Sequence, residues 1–61
     1  MKAKALNHFG VPRVFINGKI MGHIEKHKGK DVFEPSQYYL AIDEMTAIIE
    51  LMNELESDDD R

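Results

Sequence analysis

The sequence contains no cysteine and no apolar run that approaches the roughly 20 residues of a membrane-spanning helix. Without cysteine, the chain forms neither disulfides nor thiolate-ligated zinc or iron–sulfur centres. The segment 1–6 also lacks the apolar stretch of a signal peptide. We therefore expect a cytoplasmic protein that has no contact with a membrane.

The chain is short as well: its 61 residues suffice for one domain, which we expect to extend over 1–61. A chain of this length buries only about 60% of the surface that it exposes when unfolded, so its own core is marginal. Since disulfides are excluded, a second copy of the chain or a larger protein partner is the expected source of further burial.

The net charge of −3 conceals two oppositely charged halves. Residues 1–30 carry seven Lys and Arg side chains against Glu25, a balance of +6, whereas residues 31–61 carry ten carboxylates against Arg61, a balance of −9. The chain is therefore an electrostatic dipole along its sequence, and each half favours a partner of the opposite charge.

Asn17-Gly18 lies between two β-prone runs, 14–16 and 19–21. Asn-Gly in this setting is the strongest local signal for a two-residue type I′ hairpin turn, because both central residues need positive φ. Such a turn imposes a register in which Ile16 pairs with Lys19, Phe15 with Ile20, Val14 with Met21 and Arg13 with Gly22.

A second turn is expected at Lys28-Gly29, where it would pair Ile24 with Phe33 and Lys26 with Asp31. Pro35 then ends the sheet, because proline donates no ladder hydrogen bond. The sequence thus predicts three antiparallel strands over 11–35, while residues 1–10 show no clear period and are expected to form a flexible arm.

This register would gather the apolar side chains Val11, Phe15, Ile20, Ile24 and Phe33 on one face of the sheet. Gly22 in their midst would leave room for a helix or mark a bulge. The opposite face would carry four apolar side chains, Val14, Ile16, Met21 and Val32, among the polar residues Lys19, His23, Glu25, His27 and Glu34. One helix covers one face only, so we expect these four to remain exposed for a protein partner or a second copy.

Residues 42–56 have apolar side chains at a spacing of three and four, which predicts an amphipathic helix. Asp43 and Glu44 suit its first turn, and the acidic segment 57–61 is expected to be a disordered tail. The predicted fold is a small α+β domain in which an antiparallel three-stranded β-meander is packed by one C-terminal amphipathic helix. The apolar stripe of this helix comprises Met45, Ile48, Ile49, Met52 and Leu55, with Leu51 beside it.

Catalytic and metal-binding motifs are missing. There is no G-x-S-x-G, no glycine-rich phosphate loop and no cysteine nucleophile, so we expect no enzyme, no cofactor and no small-molecule substrate. His23 and His27 would lie about 13 Å apart along a strand, too far for one ion to bridge. We therefore interpret them as histidines on a solvated strand face, with Glu34 opposite His23, and expect no metal.

Two binding functions remain. The first is a non-catalytic protein-binding module that uses Val14, Ile16, Met21 and Val32, together with the helix carboxylates Glu50 and Glu54. The alternative is nucleic-acid binding through the basic hairpin, although the acidic composition of the whole chain is unusual for such a module. The basic residues available to that alternative are Arg13, Lys19, Lys26, Lys28 and Lys30.

Two short resemblances bear on this choice. Residues 11–19, Val-Pro-Arg-Val-Phe-Ile-Asn-Gly-Lys, resemble the valine–proline hairpin segment of glutaredoxin-like proteins, but the redox cysteines are missing and the activity does not carry over. Gly18-x-x-x-Gly22-x-Ile24 followed by Phe33-Glu34-Pro35 and a helix is similar to short accessory proteins of phages and prophages. That resemblance implies a small protein that binds and blocks or redirects a host or defence complex, such as a CRISPR effector.

Overall fold

Three two-residue turns shape the sheet in the computed structural model, which describes residues 1–59. At Phe9-Gly10, Asn17-Gly18 and Lys28-Gly29 both residues have positive φ, between 52° and 81°, as a type I′ turn requires. The expected turns at Asn17-Gly18 and Lys28-Gly29 are confirmed. The strands run in the order β1-β2-β3-β4, and the elements are β1 Ala3–His8, β2 Val11–Ile16, β3 Lys19–His27, β4 Lys30–Pro35 and the helix α1 Ile42–Asp59.

The first strand corrects the prediction of a three-stranded meander with a flexible arm at 1–10. β1 pairs with β2 along its whole length, from Ala3 opposite Ile16 to His8 opposite Val11. Ala3 and Ala5 pack against the core, whereas Lys4 and Leu6 are exposed. This alternation has the two-residue period of a half-buried strand. Its small alanine side chains and the atypical turn Phe9-Gly10 made the strand hard to recognise.

A β-bulge between β2 and β3 changes the predicted register. The pairs Ile16–Lys19 and Phe15–Ile20 form as expected, but Val14 then faces Gly22 and Arg13 faces His23. Met21 is the extra residue, and its carbonyl accepts a hydrogen bond from the Ser36 N–H at 2.9 Å. The expected pairs Ile24–Phe33 and Lys26–Asp31 of the second hairpin are confirmed.

The bulge also overturns the predicted division of the two sheet faces. A one-residue insertion moves every following side chain to the other face, so the five residues expected to share a core face are divided. Ile24 and Phe33 lie on the helix-covered face, while Val11, Phe15 and Ile20 lie on the face without a helix, the open sheet face. The expectation that Val14, Ile16 and Met21 stay exposed is wrong, because all three are buried under the helix.

Gly22 is needed for the contact between β3 and β4. A Cβ atom there would overlap the carbonyl oxygen of Glu34 and come within 2.8 Å of Cζ of Phe33. The space beside this glycine is therefore taken by the neighbouring strand and the Phe33 ring, and not by the helix. Of the two alternatives that the sequence left open for Gly22, the bulge is confirmed.

The helix begins with a partial capping box. The Ala41 N–H donates to Oε1 of Glu44 at 2.8 Å, and the Ala41 carbonyl accepts the first helical hydrogen bond, from the Met45 N–H at 2.9 Å. The helix continues to Asp59, three residues beyond the predicted end, so the expected tail is helical at its first three residues. Asp60 and Arg61 lie outside the described residues, and disorder there stays a prediction. Within residues 1–59, no helix combines the length and the apolar character needed to span a membrane.

The core lies between α1 and the helix-covered face, where Val14, Ile16, Met21 and Ile24 meet Ala47 and Ile48. Leu51, Met52 and Leu55 pack against this cluster from the helix. Met45 and Ile49, which were expected in the same stripe, are exposed instead. The helix thus lies across one sheet face as predicted, but it is rotated about its axis so that Ala47 faces inward.

Candidate functional site

The outer side of α1 carries three exposed apolar residues, Ile42, Met45 and Ile49, which we call the outer apolar strip. Their spacing of three and four places them along one side of the helix, away from the buried Ala47 and Ile48. Ile42 is 79% exposed and Ile49 is 59% exposed. Ile42 and Ile49 are not part of the core, so the burial that stabilises the fold does not explain why these two residues are apolar.

Two tyrosines precede this strip on the segment that connects β4 to α1. Tyr38 is 100% exposed, and Tyr39 is almost equally so. Tyrosine and methionine are enriched at protein interfaces, where an aromatic ring supplies a large contact area at little cost in side-chain entropy. The segment from Tyr38 to Ile49 therefore presents five large side chains to solvent.

An open groove of about 650 Å³ runs beside the strip. It is lined by the apolar residues Met1, Ile42 and Ala47 and by the polar residues Asp43, Thr46 and Glu50. Such a groove suits a side chain that has an apolar stem and a cationic end, as lysine and arginine have.

One flank of the helix is uniformly acidic. Asp43, Glu50 and Glu54 are exposed and lie on the same side of the helix at a spacing of seven and four. The sequence contains no Lys, Arg or His from 31 to 60, so no cation in that segment offsets this charge. The outer apolar strip is therefore bordered by a mainly negative surface, in which Lys2 lines a depression together with Glu50 and Glu54.

The residues predicted to bind protein fall into three groups. Val14, Ile16 and Met21 are buried in the core and have no surface to offer. Val32 is partly exposed on the open sheet face, on the other side of the sheet from the helix. Of the predicted residues, Glu50 and Glu54 lie on the acidic flank, next to the outer apolar strip, whose members Met45 and Ile49 the sequence reasoning placed in the same stripe as the core residue Ile48.

The open sheet face is a second accessible surface, and it mixes apolar and charged side chains. Leu6, Ile20 and Val32 are exposed there, and Phe15 is half-buried between its ladder partners Lys4 and Ile20. A shallow depression of about 500 Å³ lies around Phe15, with Lys2 and Lys4 among its lining residues. This face was expected to be the core, and the bulge is the reason that it is not.

The basic residues predicted to bind nucleic acid do not form one surface. Strand alternation places Arg13 and Lys30 on the open sheet face but Lys19 and Lys26 on the helix-covered side, while Lys28 lies in a turn. Lys26 also forms an ion pair with Asp31 at 3.0 Å. A single nucleic-acid strand would therefore not contact all five residues on one face.

Three side chains on the open sheet face converge on one point and form what we call the His–Glu cluster. Nε2 of His23 lies 3.1 Å from Oε1 of Glu25 and 3.7 Å from Oε2 of Glu34. The hydrogen bond with His23 lowers the pKa of Glu25 below its ordinary value, and the Glu34 side chain adds to this effect. Sequence reasoning paired His23 with Glu34 correctly, but it compared His23 only with His27 as a partner for an ion and so missed the cluster.

The outer apolar strip was also missed, because the spacing of apolar residues on α1 does not show which of two adjacent stripes faces the sheet. The exposed Tyr38-Tyr39 beside an apolar helix was the available signal. The chain matches no protein-family model, no curated protein and no solved structure.

Proposed function

We propose that the chain is a non-catalytic protein-binding module that docks on a basic surface of a larger protein through the outer side of α1. The observation that carries the proposal is the exposure of Ile42, Met45 and Ile49 beside an acidic flank. An amphipathic helix that lays apolar anchors at this spacing into a groove is a common mode of protein recognition. Carboxylates at the rim favour a partner with a positive rim.

The charge pattern supports a different protein rather than a second copy as the partner. In a twofold dimer the same patch meets itself, and when the two helices pair antiparallel, Asp43, Glu50 and Glu54 of one helix approach their own copies. Like charges brought together at an interface are destabilising. The sequence-based hypothesis of a homodimer relied on Val14, Ile16 and Met21, and the burial of these residues removes that support.

The resemblance to short phage accessory proteins supplies a class of partner for this proposal. A host or defence complex that handles nucleic acid, such as a CRISPR effector, has the positively charged grooves that an acidic helix would occupy. The chain would then act in the cytoplasm as an inhibitor that blocks such a groove. The unbroken run without a cation from 31 to 60 supports this role.

The test begins with affinity capture on the full chain, followed by titration of each purified candidate partner. We expect I42S/I49S to weaken binding at least about tenfold, because apolar anchors at the centre of an interface carry most of its energy. The matched control is L6S/I20S, which removes two exposed apolar side chains from the open sheet face. Equal binding by I42S/I49S and the wild type would refute the proposal, and a loss confined to L6S/I20S would transfer the function to the open sheet face.

Nucleic-acid binding is a second candidate, and one observation favours it. The structure places Phe15 on the open sheet face together with Lys4 and Arg13, where a base stacked on the ring would have cations beside its phosphate. Glu25 and Glu34 on the same face oppose this binding. The candidate predicts that a single-stranded oligonucleotide binds at low salt and that K4Q/R13Q binds it more weakly, whereas K19Q on the other side does not. Absence of binding at low salt would exclude it.

A further inference from the structure

We propose that the His–Glu cluster binds one divalent transition-metal ion, for which Zn²⁺ is the probe. Its ligands are Nε2 of His23 and one carboxylate oxygen each from Glu25 and Glu34. Three potential ligand atoms of these residues lie within 4.8 Å of one another. The site is independent of the helix surface that carries the proposed function.

The distances fit the coordination of zinc. A tetrahedral zinc site with bonds near 2.1 Å separates its ligand atoms by about 3.4 Å. The two separations from Nε2 of His23 are 3.1 Å and 3.7 Å, on either side of that value. The ligand atoms of all three residues lie within 4.8 Å of one another, so an ion would reach them once the exposed carboxylates rotate toward it, and water would complete the coordination.

The backbone places the three residues together without a loop. His23 and Glu25 are two positions apart on β3 and share a face, and Glu34 pairs directly with His23 across the ladder to β4. Both strands are held by regular antiparallel hydrogen bonding, so the separation of the three Cα atoms is fixed before an ion arrives. His23 is the least exposed of the three, at 27% of its side chain, and it anchors the cluster.

The charges fit a divalent cation. Two carboxylates carry a charge of −2, which one divalent ion neutralises, and a neutral imidazole adds the nitrogen ligand that transition metals prefer over Mg²⁺ and Ca²⁺. Without an ion, the same contacts form an ion pair only when His23 is protonated, and a surface pair of this kind contributes little to stability. Arg13 lies opposite His23 on the neighbouring strand, but among residues 1–59 the structure shows no ion pair between Arg13 and either carboxylate.

His27 provides a matched control. It lies on the same strand and the same face as His23, but four residues further along, at a distance of about 13 Å by strand geometry. A surface that binds Zn²⁺ through any exposed histidine would use His27 as readily as His23. Of the two histidines, the proposed site requires only His23.

The experiment is calorimetric titration of Zn²⁺ into the chelator-treated 61-residue chain near neutral pH, with amide and imidazole NMR spectra of the same samples. We expect one ion per chain for the wild type and for H27Q. We expect H23Q and E34Q to bind at least about tenfold more weakly, since losing even an outer-sphere partner of a metal ligand commonly costs that much. Imidazole shifts on adding Zn²⁺ are expected at His23 and not at His27.

Because Glu34 is exposed on the sheet surface, E34Q tests the site even if H23Q fails to fold. The proposal is overturned if the wild type shows no saturable binding of Zn²⁺, if E34Q binds as the wild type does, or if H27Q loses as much affinity as H23Q. Binding of Mg²⁺ with the affinity of Zn²⁺ would also overturn it, because the imidazole would then contribute nothing.

Discussion

Phe9 has a backbone conformation that phenylalanine seldom adopts. Its φ is 54° and its side chain is 93% exposed, at the turn between β1 and β2. The left-handed conformation costs a residue with a Cβ atom about 1 kcal/mol or more, whereas asparagine tolerates it well. We expect Phe9→Asn to raise the free energy of unfolding by about 1 kcal/mol, as measured by urea denaturation. Lys28→Asn, at the equivalent position of the last turn, should show a similar gain, and a loss of stability in Phe9→Asn would contradict this account.

Among the four glycines, Gly22 is the one at which an added Cβ atom would meet other atoms. Alanine there would meet the Glu34 carbonyl and the Phe33 ring, and it would hold a φ of +156° that side chains disfavour. We expect Gly22→Ala to destabilise the fold by about 2–3 kcal/mol, from backbone strain and overlap together. Gly10→Ala separates the two causes, because it has positive φ but nothing within 4 Å of the added Cβ. Equal losses from the two variants would show that overlap contributes nothing.

In the metal-free protein, the ionisation of Glu25 makes the stability contributed by the His–Glu cluster depend on pH. Because the hydrogen bond with His23 lowers its pKa in the folded state, the carboxylate contributes stability at pH values above its ordinary pKa. That contribution is lost as the pH falls through the lowered, folded-state value. We expect His23→Gln to raise the pKa of Glu25 toward its ordinary value, as measured by carboxyl ¹³C NMR with a chelator present. An unchanged pKa of Glu25 in this variant would show that the imidazole does not stabilise the ionised carboxylate.

At the scale of the element, α1 has two apolar sides, one of which packs in the core while the other is exposed to solvent. Ile48 is buried at 4% exposure, while its neighbour Ile49 is on the outer strip. We expect Ile48→Ala to destabilise by about 2–4 kcal/mol, as core isoleucine truncations do. Ile49→Ala should change stability by less than about 0.5 kcal/mol, because it removes no core contact. Chemical denaturation of both variants measures this, and equal losses would place both residues in the core.

At the scale of the whole molecule, the charge split becomes a spatial one. Most cations lie on the sheet and its turns, and the outer side of the helix carries an acidic flank, of which Glu50 and Glu54 line a depression together with Lys2. If this flank guides the chain to a basic partner, the association rate should fall at least about tenfold between low and physiological salt. Stopped-flow measurements should show a shallower salt dependence for E50Q/E54Q. A salt-independent rate in the wild type would exclude electrostatic guidance.

Much of the fold was accessible from the sequence because its cues are local. Asn17-Gly18 and Lys28-Gly29 impose turns through the φ values of their own residues, and the apolar spacing from 42 onward suffices to indicate a helix. The first strand was not predicted, because the alanine side chains Ala3 and Ala5 bury little surface and give a weak apolar pattern. The outer apolar strip was not predicted, because apolar residues occupy two adjacent sides of α1. Their spacing does not distinguish a side that packs in the core from a side that binds a partner.

The sequence by itself determined the α+β class, the last two turns, the pairing of β3 with β4 and the separation of charge, since each depends on neighbouring residues. Only the tertiary structure decided which sheet face the helix covers. The bulge at Met21 reassigned the faces, and a bulge depends on contacts between strands that no local pattern contains. The placement of His23, Glu25 and Glu34 on one face follows from the pairing of β3 with β4 that the sequence predicts, and the structure adds the distances between their side chains.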